Sequence, residues 1–243
     1  MRIAIYGDSW GVTNDLPTSW PSILADKLSG HLDNFCEPGA SVYYSYTKFT
    51  QTHHDYDVVI FLVGEPHRYP VKVELTDGLR FFPALFAIES YRKEREVPAI
   101  DNKILNDIEG WFKASSTEYM MFIHSMFLDK IRSERPSVIL YPCLLNSLDK
   151  NILSKENINP MHILSNLYAK QLEMLGYNTD MDTMVYTGLH ENKNVISGHL
   201  APEINNLVAE MLYNKIVTGE YVFFDLKDIK LLHPKEYYYC EES

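Results

Sequence analysis

The apolar positions of the chain fall into short blocks separated by turn residues, and the blocks switch between strand and helix spacing. Residues 2–6, Arg-Ile-Ala-Ile-Tyr, form a β-rich run that ends at Gly7-Asp8-Ser9. Thr18-Ser19-Trp20-Pro21 predicts a helix start, because Ser or Thr can cap and Pro suits the first turn. Ile23, Leu24 and Leu28 supply the apolar face of that helix, and Gly30 its stop. Phe35-Cys36 reads as a short strand before the turn Glu37-Pro38-Gly39-Ala40-Ser41. Residues 57–64, Asp-Val-Val-Ile-Phe-Leu-Val-Gly, are apolar almost without interruption, the pattern of a strand covered on both faces in a parallel sheet.

The middle of the chain keeps no period. Residues 65–114 mix aromatics and charges with Pro66, Pro70, Pro83 and Pro98, and they read as an insertion with short helices rather than a linker. Ser115-Ser116-Thr117-Glu118 matches a capping box, and Met121, Phe122, Ser125, Leu128 and Ile131 mark the helix that follows. Val138-Ile139-Leu140-Tyr141 is the next buried strand. Asn159-Pro160 starts a helix with Ile163, Leu164, Leu167, Tyr168, Leu172 and Leu175 on its face and Gly176 at its end. Pro202 opens the last long helix, with Ile204, Leu207, Val208, Met211 and Leu212 inward, and Gly219 closes it.

Strands alternating with helices predict the α/β class, as a three-layer α/β/α arrangement with a mostly parallel, flavodoxin-like sheet. Residues 1–219 are expected to form one domain carrying the insertion at about 65–114. Residues 220–243 make an aromatic tail ending in Tyr237-Tyr238-Tyr239-Cys240. That tail is expected to dock against the body or against a neighbouring subunit, which would give a homo-oligomer.

Composition narrows the function classes. The 243 residues are 46% hydrophobic and 13% aromatic, which supports a sizeable core and excludes wholesale disorder. The net charge of −11, without a Lys/Arg cluster, disfavours nucleic acid as a partner. No apolar run approaches the roughly 18–20 residues of a membrane helix, and the apolar stretch before Gly7 is too short for a signal peptide. A cytoplasmic location is therefore expected, with no membrane partner. Three cysteines, Cys36, Cys143 and Cys240, fit a reducing compartment without a disulfide framework. No metal and no cofactor is expected. His190-Glu191 lacks the second His of H-E-x-x-H, and the EF-hand-like spacing of Asp180, Asp182 and Glu191 is broken by Met184 and Val185.

Ligands of open α/β sheets bind at the carboxyl ends of the strands. Gly7-Asp8-Ser9-Trp10, Gly39-Ala40-Ser41 and Gly64-Glu65-Pro66-His67-Arg68 follow the predicted strands, and Ser197-Gly198-His199-Leu200 precedes the last helix. Acyl transfer needs what these segments offer. A serine hydroxyl is activated by an imidazole that takes its proton, and backbone N–H groups receive the oxyanion. Ser9, His199 and Gly39 supply those parts in principle.

Gly7-Asp8-Ser9 after an N-terminal strand, Gly39 downstream, the 57–64 strand and His199-Leu200-Ala201-Pro202-Glu203 before the C-terminal helix stand in a familiar order. In this the chain resembles the SGNH (GDSL-type) hydrolases over residues 1–64, 136–142 and 195–216, and it is similar to divergent phage and bacterial members. The resemblance implies Ser9 as nucleophile, His199 as general base, and the N–H groups of Ser9 and Gly39 in the oxyanion hole. Two positions depart from the family. Pro66 stands where an Asn donor is usual, and Ile196 stands three residues before His199, where the acid is usual. Proline has no N–H to donate, and loss of one oxyanion donor costs about 10²–10³ in turnover. Arg68 is a candidate replacement donor. Asp180, Asp182 or Glu191 are candidate acids, or a backbone carbonyl holds the ring of a Ser–His dyad.

Three functions compete. One is a serine-dependent ester hydrolase acting on a small-molecule or glycan ester. The second is a non-catalytic module on the same fold that recognises a glycan or a protein. The third, a Rossmann-type nucleotide binder, ranks last, because the chain lacks G-x-G-x-x-G and G-x-x-x-x-G-K-[ST].

Overall fold

Alternation along the first strand sets up both faces of the sheet. In β1 (Arg2–Gly7), Ile3 and Ile5 point into one apolar cluster while Ala4 and Tyr6 point into another. The chain continues through α1 (Trp20–Lys27), β2 (His31–Cys36), α2 (Val42–Thr52), β3 (Val58–Val63), β4 (Tyr69–Leu75) and β5 (Gly78–Phe82). It ends with α3 (Thr117–Glu134), β6 (Ile139–Pro142), α4 (Asp149–Glu156), α5 (Leu164–Met174) and α6 (Pro202–Thr218). The structure, a computed structural model, describes residues 1–12, 18–37, 40–64, 66, 69–75, 78–82, 110, 114–143, 149–174 and 200–231.

Four strands form a parallel sheet in the order β2-β1-β3-β6, with Ile3 in register with Leu32 on one side and Val58 on the other. This is the flavodoxin-like order. The chain steps outward from β1 to β2, then returns past β1 to β3, so the winding reverses between β1 and β3. Ile3, Ile5, Ile60, Leu62 and Tyr141 pack against Trp20 and Leu24 of α1, Leu164 and Leu167 of α5, and Ile204 and Val208 of α6. On the opposite face Ala4, Tyr6, Val59, Phe61 and Leu140 pack against Val42 and Phe49 of α2 and Leu128 and Ile131 of α3. The expected three-layer α/β/α class is therefore what the described residues form. Each large side chain buried this way contributes about 1.5–3 kcal/mol, which is why two continuous clusters hold the layers together.

Several local expectations need correction. Gly30 is not the left-handed stop of α1. Ser29 takes that place at φ 48, with Ser29 N–H donating to Asp26 O (3.0 Å) and Gly30 N–H to Ala25 O (2.9 Å). At Gly30 the space is tight, since a Cβ there would lie 2.7 Å from Ile3 Cδ1 and 3.0 Å from Met1 O. The cap of α3 is Ser116, whose hydroxyl accepts from Tyr119 N–H, so Glu118 sits one place too early for a capping box and instead meets the positive end of the helix. The buried face of α3 is Met120, His124, Leu128 and Ile131, and Phe122 is exposed. β2 begins earlier than Phe35, because pairing with β1 recruits residues His31 to Asn34 that carry little strand signal of their own. The described part of the 65–114 insertion includes an antiparallel pair, β4 with β5, where short helices were expected. α4 had no sequence signal.

The helix expected to start at Asn159-Pro160 begins later, at Leu164, after a 3₁₀ turn and an extended Ile163, and its expected stop Gly176 lies outside the described residues. The remaining expectations hold at the level of local caps and packing. Asn159 caps the turn Pro160–His162 through Met161 N–H ahead of α5. Gly219 ends α6 at φ 83, its N–H donating to Lys215 O. The first half of the tail docks on the body, with Tyr221, Phe223, Phe224, Leu226 and Leu231 packed against the α1/α5/α6 side of the core. Residues 237–240 lie outside the described residues. Among the described residues no helix is long and apolar enough to cross a membrane.

Candidate active site

The carboxyl ends of β1 and β3 meet at the switch point, and the first of them carries Ser9. Ser9, half-buried, opens a 3₁₀ turn (Ser9–Gly11) directly after β1, and Asp8 caps that turn. Asp8 is shielded from solvent at the end of β1. Its Oδ1 accepts from Trp10 N–H at 3.2 Å, and the Cys143 thiol at the end of β6 donates to the same oxygen at 3.8 Å. Gly64, which follows β3, lets this carboxyl approach: a Cβ there would lie 3.0 Å from Asp8 Oδ2. One side chain thus touches the ends of three strands and fixes the turn that presents Ser9.

The rest of the turn is held from β2. Asn34 Nδ2 donates to Gly11 O at 2.7 Å, and Asn34 Oδ1 accepts from Cys36 N–H at 3.0 Å. A Cβ on Gly11 would meet Cys36 Sγ at 2.4 Å, so the turn lies flat on the β2 edge. Burial pushes the Cys36 thiol well above its ordinary pKa, and the Asp8 charge adds to this, so Cys36 stays a neutral packing group rather than a nucleophile. Beyond β2, Ser41 caps α2 by accepting from Tyr44 N–H, and the Tyr44 hydroxyl donates to Glu37. Ser45 Oγ reaches Gly7 O at 3.3 Å.

A buried bridge links this turn to the start of α6. Trp20 Nε1–H donates to Trp10 O at 2.9 Å, and Trp20 N–H donates to Asn205 Oδ1 at 3.1 Å. Asn205 Nδ2 then donates to Leu200 O at 2.7 Å. Next to it, Gln171 Oε1 from α5 accepts from Ala201 N–H at 2.6 Å. The residue after Ser9 and the residue after His199 are therefore joined through three hydrogen bonds and two side chains.

Of the site residues expected from sequence, Ser9 alone is among the described ones. Gly39, Arg68, His199, Asp180, Asp182, Glu191 and Ile196 lie outside them. Pro66 is described as a half-buried turn residue two places after Gly64. Sequence reasoning missed Asn205 and Gln171. Each is a polar residue on an inward helix position, and that break in the apolar stripe was the available signal. Among the described residues no group of three or more His, Cys, Asp or Glu could hold a metal ion.

No family model matches the chain, and no curated protein matches it in sequence. Among solved structures, the chain is similar to a protein assigned to the G-D-S-L lipolytic family from Desulfitobacterium hafniense DCB-2. That similarity has a TM-score of 0.43 and 14% identity, covering 88% of this chain and 98% of the other. It is also similar to an acetyl xylan esterase, with a TM-score of 0.37 and 12% identity, covering 89% of this chain and 100% of the other. The α/β class itself rests on the strand order and layering of this chain.

Proposed function

We propose that the chain is a serine-dependent ester hydrolase of the SGNH type, acting on a small-molecule or glycan ester. The observation that carries this reading is the buried bridge from Trp10 through Trp20 and Asn205 to Leu200. It anchors the two chain segments that adjoin Ser9 and His199 to one end of one sheet. Acyl transfer needs an early hydroxyl and a late imidazole to converge, and a tie between the flanking residues Trp10 and Leu200 supports that reading.

In this reading the Ser9 hydroxyl oxygen attacks the ester carbonyl carbon while its proton passes to His199. The oxyanion takes hydrogen bonds from the N–H groups of Ser9 and Gly39. Ser9 suits this part, because the first N–H of a helical turn has no acceptor within the turn. Collapse of the intermediate breaks the ester C–O bond, and His199 returns the proton to the leaving alcohol. Water then attacks the acyl-enzyme with His199 as base, releasing the acid and restoring Ser9. Arg68 is the candidate further donor, and Asp180, Asp182 or Glu191 the candidate partner of the imidazole. The nucleophile, base and donors all come from the chain itself. A net charge of −11 argues against a nucleic-acid substrate.

The test compares wild type with Ser9→Ala in hydrolysis of a short-chain nitrophenyl ester and in labelling by a fluorophosphonate. Loss of both in the variant is the expected result. Equal hydrolysis by the two proteins removes Ser9 from the mechanism. Pro66 favours a second reading, a binding module for a glycan or a protein on the same fold, because it places a residue without an N–H donor beside the switch point. Covalent capture of Ser9 by the fluorophosphonate counts against that reading.

A further inference from the structure

The segment after α6 has almost no regular structure, yet it is well seated. Gly219 turns the chain back on the body, and residues 220–231 contain one 3₁₀ turn, Leu226–Asp228. What holds this strap is side-chain burial together with one histidine. His162, at the end of the Pro160–His162 turn, is buried, and its ring lies 4.9 Å from the Phe223 ring and 4.5 Å from the Phe224 ring, centroid to centroid. Its Nε2 is 2.8 Å from Phe224 O. A carbonyl only accepts, so Nε2 carries the hydrogen, and in the neutral ring Nδ1 is the bare nitrogen. That Nδ1 is buried without a hydrogen-bond partner. The backbone beneath is anchored separately, since the Tyr141 hydroxyl of β6 donates to His162 O.

We propose that His162 is a proton-operated latch for the 220–231 strap: neutral, it holds Phe224, and protonated, it releases the strap from the core face. The reason is the environment of Nδ1. A second proton there creates a buried N–H with no acceptor and a buried charge, between two phenyl rings. Among the described residues, the elements around the ring carry Tyr141 on β6, Glu156 on α4 and Tyr221 on the strap, while the strap's charged groups, Glu220, Asp225, Lys227, Asp228 and Lys230, and Lys155 of α4 are exposed to solvent. Burial holds both tyrosines in their neutral form, and Glu156 is engaged by Arg132 at 2.9 Å. Among the described residues none supplies a carboxylate to the ring. Burial accordingly lowers the pKa of His162, with the bond to Phe224 O opposing in part.

The sign follows. The free imidazole takes up its proton near pH ~6.5, the docked one only at lower pH. Docking is therefore complete above about 6.5 and weakens as pH falls through that value toward the lower docked pKa.

The experiment is amide hydrogen exchange of the full chain from pH 8 to pH 5, corrected for the intrinsic rate, following peptides within 220–231 against a β1 reference. The wild-type strap is expected to lose up to about 30-fold in protection by pH 5, with β1 unchanged. In His162→Gln, whose amide can still donate to Phe224 O, protection is expected not to change with pH. A flat wild-type profile, or the same pH dependence in the variant, overturns the proposal. Should His162→Gln fail to fold, the ring proton resonance of His162 in the wild type decides. Its titration midpoint must coincide with that of strap opening, and separate midpoints refute the latch.

Discussion

Replacing Asn205 tests the bridge directly. Its amide carries two buried hydrogen bonds, one accepting from Trp20 N–H at 3.1 Å and one donating to Leu200 O at 2.7 Å. Asn205→Ala leaves a buried N–H and a buried C=O without these partners. At about 1–3 kcal/mol for each of the two orphaned groups, the expected loss of stability is about 2–6 kcal/mol. The neighbouring residue is an internal control. Asn206 is exposed, and its amide bonds to Pro202 O within its own helix, so Asn206→Ala is expected to shift stability by no more than about 0.5 kcal/mol. Asn205→Asp separates the two bonds, since it keeps an acceptor for Trp20 and sets an oxygen against Leu200 O. Urea unfolding at constant slope is the assay, and Asn205→Asp must fall clearly below wild type. Equal effects at 205 and 206 would refute the reasoning, because they would mean that water replaces the buried partners at no cost. In the hydrolase reading Asn205→Asp also lowers turnover per folded molecule, which a purely structural bond would not.

Three further outcomes follow from the fold. Gly7→Ala puts a methyl group 2.5 Å from Leu62 Cβ, between β1 and the strand beside it, and is expected to cost more than about 3 kcal/mol; a normal melting temperature would contradict the packing described. Ser29→Gly relieves a left-handed backbone at φ 48 and is expected to gain about 0.5–1 kcal/mol in urea unfolding, whereas a loss would mean that the Ser29 side chain has a role of its own. Burial pushes the Tyr6 phenol up to about 12, only partly offset by its bond to Thr52 Oγ1 at 2.8 Å. Because the folded pKa is raised, the stability it contributes is complete below about 10 and is lost as pH rises toward 12. Tyr6→Phe should flatten stability measured between pH 9 and pH 11, and an unchanged slope would place the alkaline loss elsewhere.

Much of the scaffold was written in the sequence. Residues 57–64 and 138–141 read as buried strands, and the stripe from Ile204 to Leu212 closed by Gly219 reads as a helix, and the structure has each of them. These elements are legible because their burial is periodic and local, so neighbouring residues report the same environment. The turn after β1 and its serine were legible for the same reason.

Other features were decided by partners distant in the chain. His31-Leu32-Asp33-Asn34 carries little strand signal, yet it is β2 because β1 pairs with it and Asn34 holds Gly11 O. Asp8 has the composition of a solvated turn, and it is buried because Gly64, 56 places on, leaves room for a carboxylate and Cys143 donates to it. Asn205 is a polar residue on the inward face of α6, and its partners there are Trp20 and Leu200. Period and turn chemistry are properties of a few consecutive residues, so the sequence alone determines them. Which polar group is buried, and against what, depends on packing between segments up to 185 residues apart, and only the assembled sheet settles it.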